Sequence, residues 1–217
     1  RERLIRTYYD LLGYPLGSDR KKLESPDGFG LGKVDGAYVV DNSVFGMTGP
    51  VSGTRYRIEA GKYFGAVDFY TTLADYRTYI HIRPATLAFR SYNYGRWGST
   101  TENDLLTPLY IGYPWMVRGY QRMDRNYTSA QTQGQGIGYD NFFGSRIFVA
   151  NAELRIPFTG PENISLIKSE MFFTDLNLFI DGGLALDKGS RIAGDWYNPG
   201  PGEKAPVFSY GASFRIN

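Results

Sequence analysis

The feature that most constrains this chain is a repeated alternation of apolar and polar residues with a period of two. Within residues 54–60, Tyr56 and Ile58 alternate with Arg55, Arg57 and Glu59. Successive side chains of a β-strand point to opposite faces, so this pattern predicts a strand with one apolar and one polar face. The same pattern recurs in five further segments, namely 74–83, 85–94, 148–156, 176–181 and 208–216. With 37–45 added, we count about seven strands of roughly 9 to 15 residues, near the length that a tilted membrane strand needs.

The composition agrees with strands and turns. Aromatic residues make up 16% of the chain, with 18 Tyr and 14 Phe, and there are 27 Gly; aromatic side chains pack well on a pleated surface, and glycine serves corners. The net charge of +2 gives no support for a nucleic-acid partner. The absence of Cys removes disulfides and thiolate metal sites from consideration. No segment approaches the roughly 18 consecutive apolar residues of a membrane-spanning helix.

Two kinds of β-protein fit this alternation. A soluble β-sandwich or soluble barrel also alternates, but its strands average about five or six residues. The aromatic and aliphatic faces of the longer strands predicted here would be costly to expose to water. The pattern therefore favours an outer-membrane β-barrel, whose strands alternate lipid-facing and lumen-facing residues.

The first residues break the period of two. Leu4, Ile5, Tyr8, Leu11 and Leu12 follow a roughly helical spacing and predict a short helix. Residues 18–33 have the composition of a loop. The chain begins with Arg1 rather than Met, and it ends at residue 217 within a strand-like pattern. We therefore expect it to be an internal fragment of a longer protein.

A short motif in the long irregular stretch carries a resemblance to a known family. Val117-Arg118-Gly119-Tyr120 resembles the VRGF/Y motif of the superfamily that includes BamA, TamA, the mitochondrial sorting-assembly barrel and the two-partner secretion transporters, also catalogued as the bacterial surface antigen family. Its barrels are fed by POTRA domains. Other segments resemble strands of the same family in the same order, so the resemblance covers about 37–217; these segments are Asp41-Asn42 with Pro50 and Gly53, then 151–158, 179–183 and 209–216.

The resemblance implies a fold and a location. It implies an all-β, antiparallel transmembrane β-barrel of the bacterial outer membrane, of which this chain holds about seven or eight strands out of roughly sixteen. Residues 1–33 would form an extracellular loop with the short helix, and 34–97 would hold about the eighth to eleventh strands. Residues 98–143 would be a long loop inserted in the lumen, carrying the motif. Residues 144–217 would hold about the twelfth to fourteenth strands.

Strand parity suggests partners for the motif arginine. Glu153 and Asp181 fall on the polar face of their predicted strands, and a buried guanidinium is costly without carboxylates. We therefore expect Arg118 to reach both, with Gly119 allowing a sharp turn and Tyr120 packing on the wall. The alternative is that Arg118 is a solvated loop residue with no partner in the strands.

The expected function is not enzymatic. The resemblance implies that the full-length protein inserts β-barrel proteins into the outer membrane or moves polypeptides across it. Its partners would be outer-membrane lipids, unfolded outer-membrane or secreted polypeptides, and accessory assembly lipoproteins. Two alternatives stay open, an anchor or translocator for a fused enzyme such as a patatin-like lipase, and a passive channel or receptor. We expect no catalytic residue, metal site or cofactor, since the only histidine, His81, lies at a predicted strand end as a rim residue.

Overall fold

A computed structural model of the chain describes residues 3–10, 12–22, 28–46, 48–120, 138–162 and 165–216. It divides into two units, residues 1–31 and residues 32–217. The second unit is built on one large antiparallel sheet of seven long strands, namely β3 (Leu31–Asp41), β5 (Pro50–Gly65), β6 (Phe69–Ile82), β7 (Ala85–Trp97), β10 (Arg146–Gly160), β12 (Thr174–Leu186) and β15 (Val207–Ile216). Their order in the sheet is β15-β12-β10-β7-β6-β5-β3.

Short elements complete the second unit. β4 (Val44–Phe45) pairs with β5, and β11 (Ile167–Lys168) pairs with β10. Two further pairs lie outside the large sheet: β8 (Leu109–Tyr110) with β9 (Phe143–Gly144), and β13 (Arg191–Ile192) with β14 (Glu203–Lys204). One turn of 3-10 helix, Tyr139–Phe142, precedes β9. The all-β, antiparallel class predicted from the sequence is confirmed, and among the described residues no pairing joins the edge strands β3 and β15.

The register of the large sheet places its side chains in rows on two faces. Leu87, Leu154 and Leu178 lie opposite one another across β7, β10 and β12, while Glu153 lies opposite Ala88 and Phe179 in the adjacent row. We call the face of Leu154 and Leu178 the apolar face, and the face of Glu153 and Asp181 the loop face. The alternation predicted within each strand is confirmed. Ile58, Ile80, Leu154, Leu178 and Phe214 share the apolar face, and Arg57, Arg77, Glu153 and Asp181 share the loop face.

The short helix predicted at the start of the chain is wrong. Residues Arg3–Tyr9 form β1, which pairs with β2 (Pro15–Lys22) as an antiparallel hairpin. Asp10 stabilises the turn, because its Oδ1 accepts the N–H groups of Leu12 and Tyr14 at 2.9 and 2.8 Å. Gly13 adopts the left-handed conformation that the turn requires, with φ of 86°. Within the predicted 18–33 loop, residues 18–22 belong to β2 and residues 31–33 to β3, and residues 23–27 lie outside the described residues.

No helix within the described ranges is long and apolar enough to cross a membrane.

Candidate functional site

The candidate site is the segment 109–120, which lies on the loop face of the large sheet. Its first residues form β8, and the N–H of Ile111 continues this pairing by donating to the carbonyl oxygen of Phe142 at 3.0 Å. Val117 closes the segment into a compact turn, since its N–H donates to the carbonyl of Ile111 at 3.1 Å. This turn directs Arg118, the next residue, toward the loop face of β10 and β12.

A small apolar core fixes this segment on the sheet. Ile111 and Val117 are fully buried and pack with buried residues of the strands and of the 3-10 turn, namely Phe142, Ile147, Val149, Ala185 and Val207. Gly183 of β12 leaves the space that Val117 occupies, because a Cβ at this position would lie 2.6 Å from Cγ2 of Val117. Burial of two branched side chains contributes roughly 3–6 kcal/mol toward holding the segment in place.

Arg118 bridges two strands of the sheet. Its Nε and Nη2 donate to Oδ2 and Oδ1 of Asp181, each at 2.6 Å, and its Nη1 donates to Oε1 of Glu153 at 2.6 Å. The guanidinium also stacks on the ring of Phe179, with 3.7 Å from Cζ to the ring centroid. The planar fork of arginine permits this two-strand bridge, which a lysine ammonium lacks the geometry to make.

Asp181 is the most completely enclosed member of the site. Its side chain has no solvent exposure, yet its oxygens accept four hydrogen bonds. Two come from the Arg118 side chain, one from the Arg118 backbone N–H at 3.1 Å, and one from Nδ2 of Asn151 at 2.8 Å. A carboxylate has about four acceptor positions, so the hydrogen-bonding capacity of Asp181 is filled and its burial is compensated.

The charges of the site balance. Glu153 also accepts from Arg155, with 2.9 Å to Nε, so two arginines and two carboxylates form one cluster. Desolvation alone would lower the pKa of Arg118, but the hydrogen bonds of Asp181 and the charge of Glu153 outweigh it and raise that pKa above its ordinary value. Arg118 is therefore charged at every physiological pH.

The sheet also holds the backbone of the turn. Nη1 of Arg90 donates to the carbonyl of Trp115 at 2.6 Å, and Nδ2 of Asn151 donates to the carbonyl of Met116 at 2.7 Å. Asp75 in turn positions Arg90, with 3.0 Å between Oδ1 and Nε. Sequence reasoning did not single out Arg90 or Asn151 as partners of the segment. The parity of Asn151 with Glu153 was the available signal.

Each residue of the expected motif has a defined contact or backbone conformation in the structure. It brings Arg118 together with Glu153 and Asp181, and Gly119 adopts a φ of 93°, which favours glycine. The hydroxyl of Tyr120 donates to the carbonyl of Phe208 at 2.5 Å, and its ring packs on Phe142. The segment is thus attached to β7, β10, β12 and β15.

His81 lies away from this site. It is near the end of β6, with Nδ1 3.4 Å from Oγ1 of Thr86 on the adjacent strand.

No protein-family model matches this chain, and no curated protein is significantly similar to it.

Proposed function

We propose that the large sheet is part of the wall of an outer-membrane β-barrel, and that the full-length protein assembles β-barrel proteins in that membrane or moves polypeptides across it. The observation that carries the proposal is the bridge from Arg118 to Glu153 and Asp181, made by the VRGY motif of an in-folded segment. Holding a loop in one position costs conformational entropy. A barrel that serves only as a passive channel does not require such a bridge.

The two faces of the sheet support a membrane setting. On the apolar face, Ile180, Tyr210 and Phe214 are 63%, 87% and 61% exposed. Contiguous apolar surface of this kind is rare on soluble monomers and marks contact with lipid or with another protein. The loop face carries most of the charged side chains of the same strands, as the lumen side of a membrane barrel does.

The mechanism follows from the chemistry of sheet edges. A barrel whose first and last strands pair weakly opens laterally and offers unpaired backbone groups to an incoming strand. The segment 109–120 would hold the wall strands β10, β12 and β15 in one arrangement during this opening. The motif bridge thus acts as a structural brace for the wall, and incoming strands pair at the seam.

The test is a folding assay in vesicles. Full-length protein is reconstituted, a urea-unfolded outer-membrane barrel is added, and its folding is followed by heat-shift gels. We expect folding several times faster than in empty vesicles or in vesicles holding a passive porin, and slower folding with Arg118→Ala. Equal rates with the parent and with the porin would overturn the assembly role and favour a passive channel.

A further inference from the structure

The few charged side chains of the apolar face are cations at one end of the sheet. At apolar-face positions of the seven long strands, the described residues include two charged side chains, Lys62 of β5 and Arg146 of β10. Both are cations, and both lie at the end of the sheet where β7 finishes and β10 begins. Lys62 lies opposite Tyr70, which lies opposite Trp97, and Arg146 lies opposite Gly95 one row further in. A cation on a face of this kind requires a partner, because its desolvation is costly.

Arg146 is held in place by aromatic and backbone geometry. Its guanidinium stacks on the ring of Trp97, with 4.4 Å from Cζ to the ring centroid. Trp97 is itself fixed, because its Nε1 donates to Oγ1 of Thr72 at 2.8 Å and its ring lies over Gly95, where a Cβ would come within 2.8 Å of Nε1. The guanidinium is therefore oriented before any ligand arrives.

The hydrogen-bonding capacity of Arg146 is left unused by the residues that the structure describes. Among the described residues it forms no ion pair, and its Nε is buried without a hydrogen-bond partner. Lys62 differs, since its ammonium pairs with Asp68 in the adjoining turn and lies 4.0 Å from the centroid of the Tyr70 ring. An oriented guanidinium that has no acceptor among the described residues calls for an acceptor beyond them.

The level of Arg146 indicates what that acceptor is. Arg146 and Ile156 share β10 and the apolar face, and the apolar-face residues between them are Phe148, Ala150, Ala152 and Leu154. Ten residues of strand rise about 33 Å, which becomes about 25 Å across a bilayer at a tilt of about 40°. With Ile156 at one boundary of the apolar band, Arg146 would lie at the other boundary, at the height of lipid headgroups.

We propose that Arg146, stacked on Trp97, binds the phosphate of a membrane lipid in the leaflet at this end of the strands. The fork of guanidinium donors matches the oxygens of a phosphate group, and the apolar residues beside it match the acyl chains of the same molecule. This inference rests on the proposed membrane setting, and it adds the class of lipid that contacts the wall.

The test measures lipid retention by the full-length protein in a nonionic detergent. Native mass spectrometry compares phosphatidic acid, the diacylglycerol with the same chains, and inorganic phosphate. We expect the parent to retain phosphatidic acid well above the other two, and Arg146→Ala to weaken this retention about fivefold. Arg146→Lys should keep part of it. Lys62→Ala is the matched control and should change retention less than twofold, because Asp68 already neutralises that cation.

The outcomes separate the inference from the proposed function. Heat-shift gels and insertion into vesicles first show that each variant folds as the parent does. With folding intact, equal retention of phosphatidic acid and diacylglycerol, or an unchanged Arg146→Ala, overturns the lipid site while leaving the assembly role standing. Equal retention of inorganic phosphate also overturns it, since the acyl chains would then contribute nothing. A parent that does not insert into vesicles overturns the membrane setting itself.

Discussion

Val117 occupies the space left by the missing side chain of Gly183, since a Cβ on Gly183 would lie 2.6 Å from Cγ2 of Val117. The fit couples the residue before Arg118 to the strand residue two places beyond Asp181. Both the apolar core and the ion bridge therefore depend on the same alignment of the segment with β12. A substitution that disrupts the apolar core should therefore weaken the ion bridge, and a substitution that breaks the bridge should loosen the core.

Gly183→Ala should loosen the segment 109–120. The added methyl forces Val117 outward, and overpacking of this kind costs about 1–3 kcal/mol. Hydrogen exchange of the Val117 amide, which donates to Ile111, should become faster. Gly182→Ala is the control, because its Cβ faces the Phe208 ring at 3.1 Å, on the apolar face. Equal protection of Val117 in Gly183→Ala and in the parent would show that the fit is not tight.

Arg118→Ala should leave the sheet folded and the segment mobile. Breaking a fully buried ion pair costs about 3–5 kcal/mol. The side chain of Arg118 is 24% exposed, so we expect a smaller loss, about 2 kcal/mol in the docking of the segment. Arg118→Lys should recover part of it, because an ammonium lacks the planar fork. Protease cleavage within 109–120 measures the difference, and a variant as protected as the parent would exclude the bridge as the tether.

The residues of this bridge were accessible to sequence reasoning for a simple physical reason. Strand parity is strict, so Glu153 and Asp181 had to share one face once their strands were recognised, and a buried arginine needs carboxylates. Asn151 shares the parity of Glu153, but the contact of Arg90 gave no comparable signal. Arg90 binds a backbone carbonyl, that of Trp115, and a loop carbonyl has no signature in the sequence.

The first hairpin shows where pattern reasoning fails. Leu4, Ile5 and Tyr8 have spacing that suits a helix, but strand pairing overrides that spacing. The turn at Asp10 and Gly13 was the better signal, since an aspartate that caps the turn N–H groups, followed by a left-handed glycine, is typical of a tight connection.

Ile180→Arg should separate a membrane setting from an aqueous one. Ile180 lies on the apolar face, well inside the band between Arg146 and the opposite strand ends. In a bilayer an arginine near the midplane costs about 2–4 kcal/mol. In water the same exposed substitution changes stability by only about 0.5 kcal/mol. The comparison is Ile82→Arg at the end of β6, where a bilayer cost of about 0–1 kcal/mol is expected. Unfolding in vesicles gives both values, and equal values would contradict lipid contact at Ile180.

Phe179→Leu should weaken the docking of Arg118 without removing any hydrogen bond. The ring lies 3.7 Å from the guanidinium carbon and also covers Gly211 of β15, where a Cβ would come within 2.9 Å of the ring. A cation–π contact that is partly exposed contributes about 0.5–1 kcal/mol, so leucine should lower protection of the segment by about threefold, with Asp181 still paired. Phe158→Leu on β10 is a suitable control, because its ring contacts Phe214 rather than Arg118. Protease access to 109–120, measured alongside the heat-shift gel, reports the change. If the segment is equally protected from protease in Phe179→Leu and in Phe158→Leu, the stacking contributes nothing. The hydrogen bonds to Glu153 and Asp181 are then sufficient to hold Arg118.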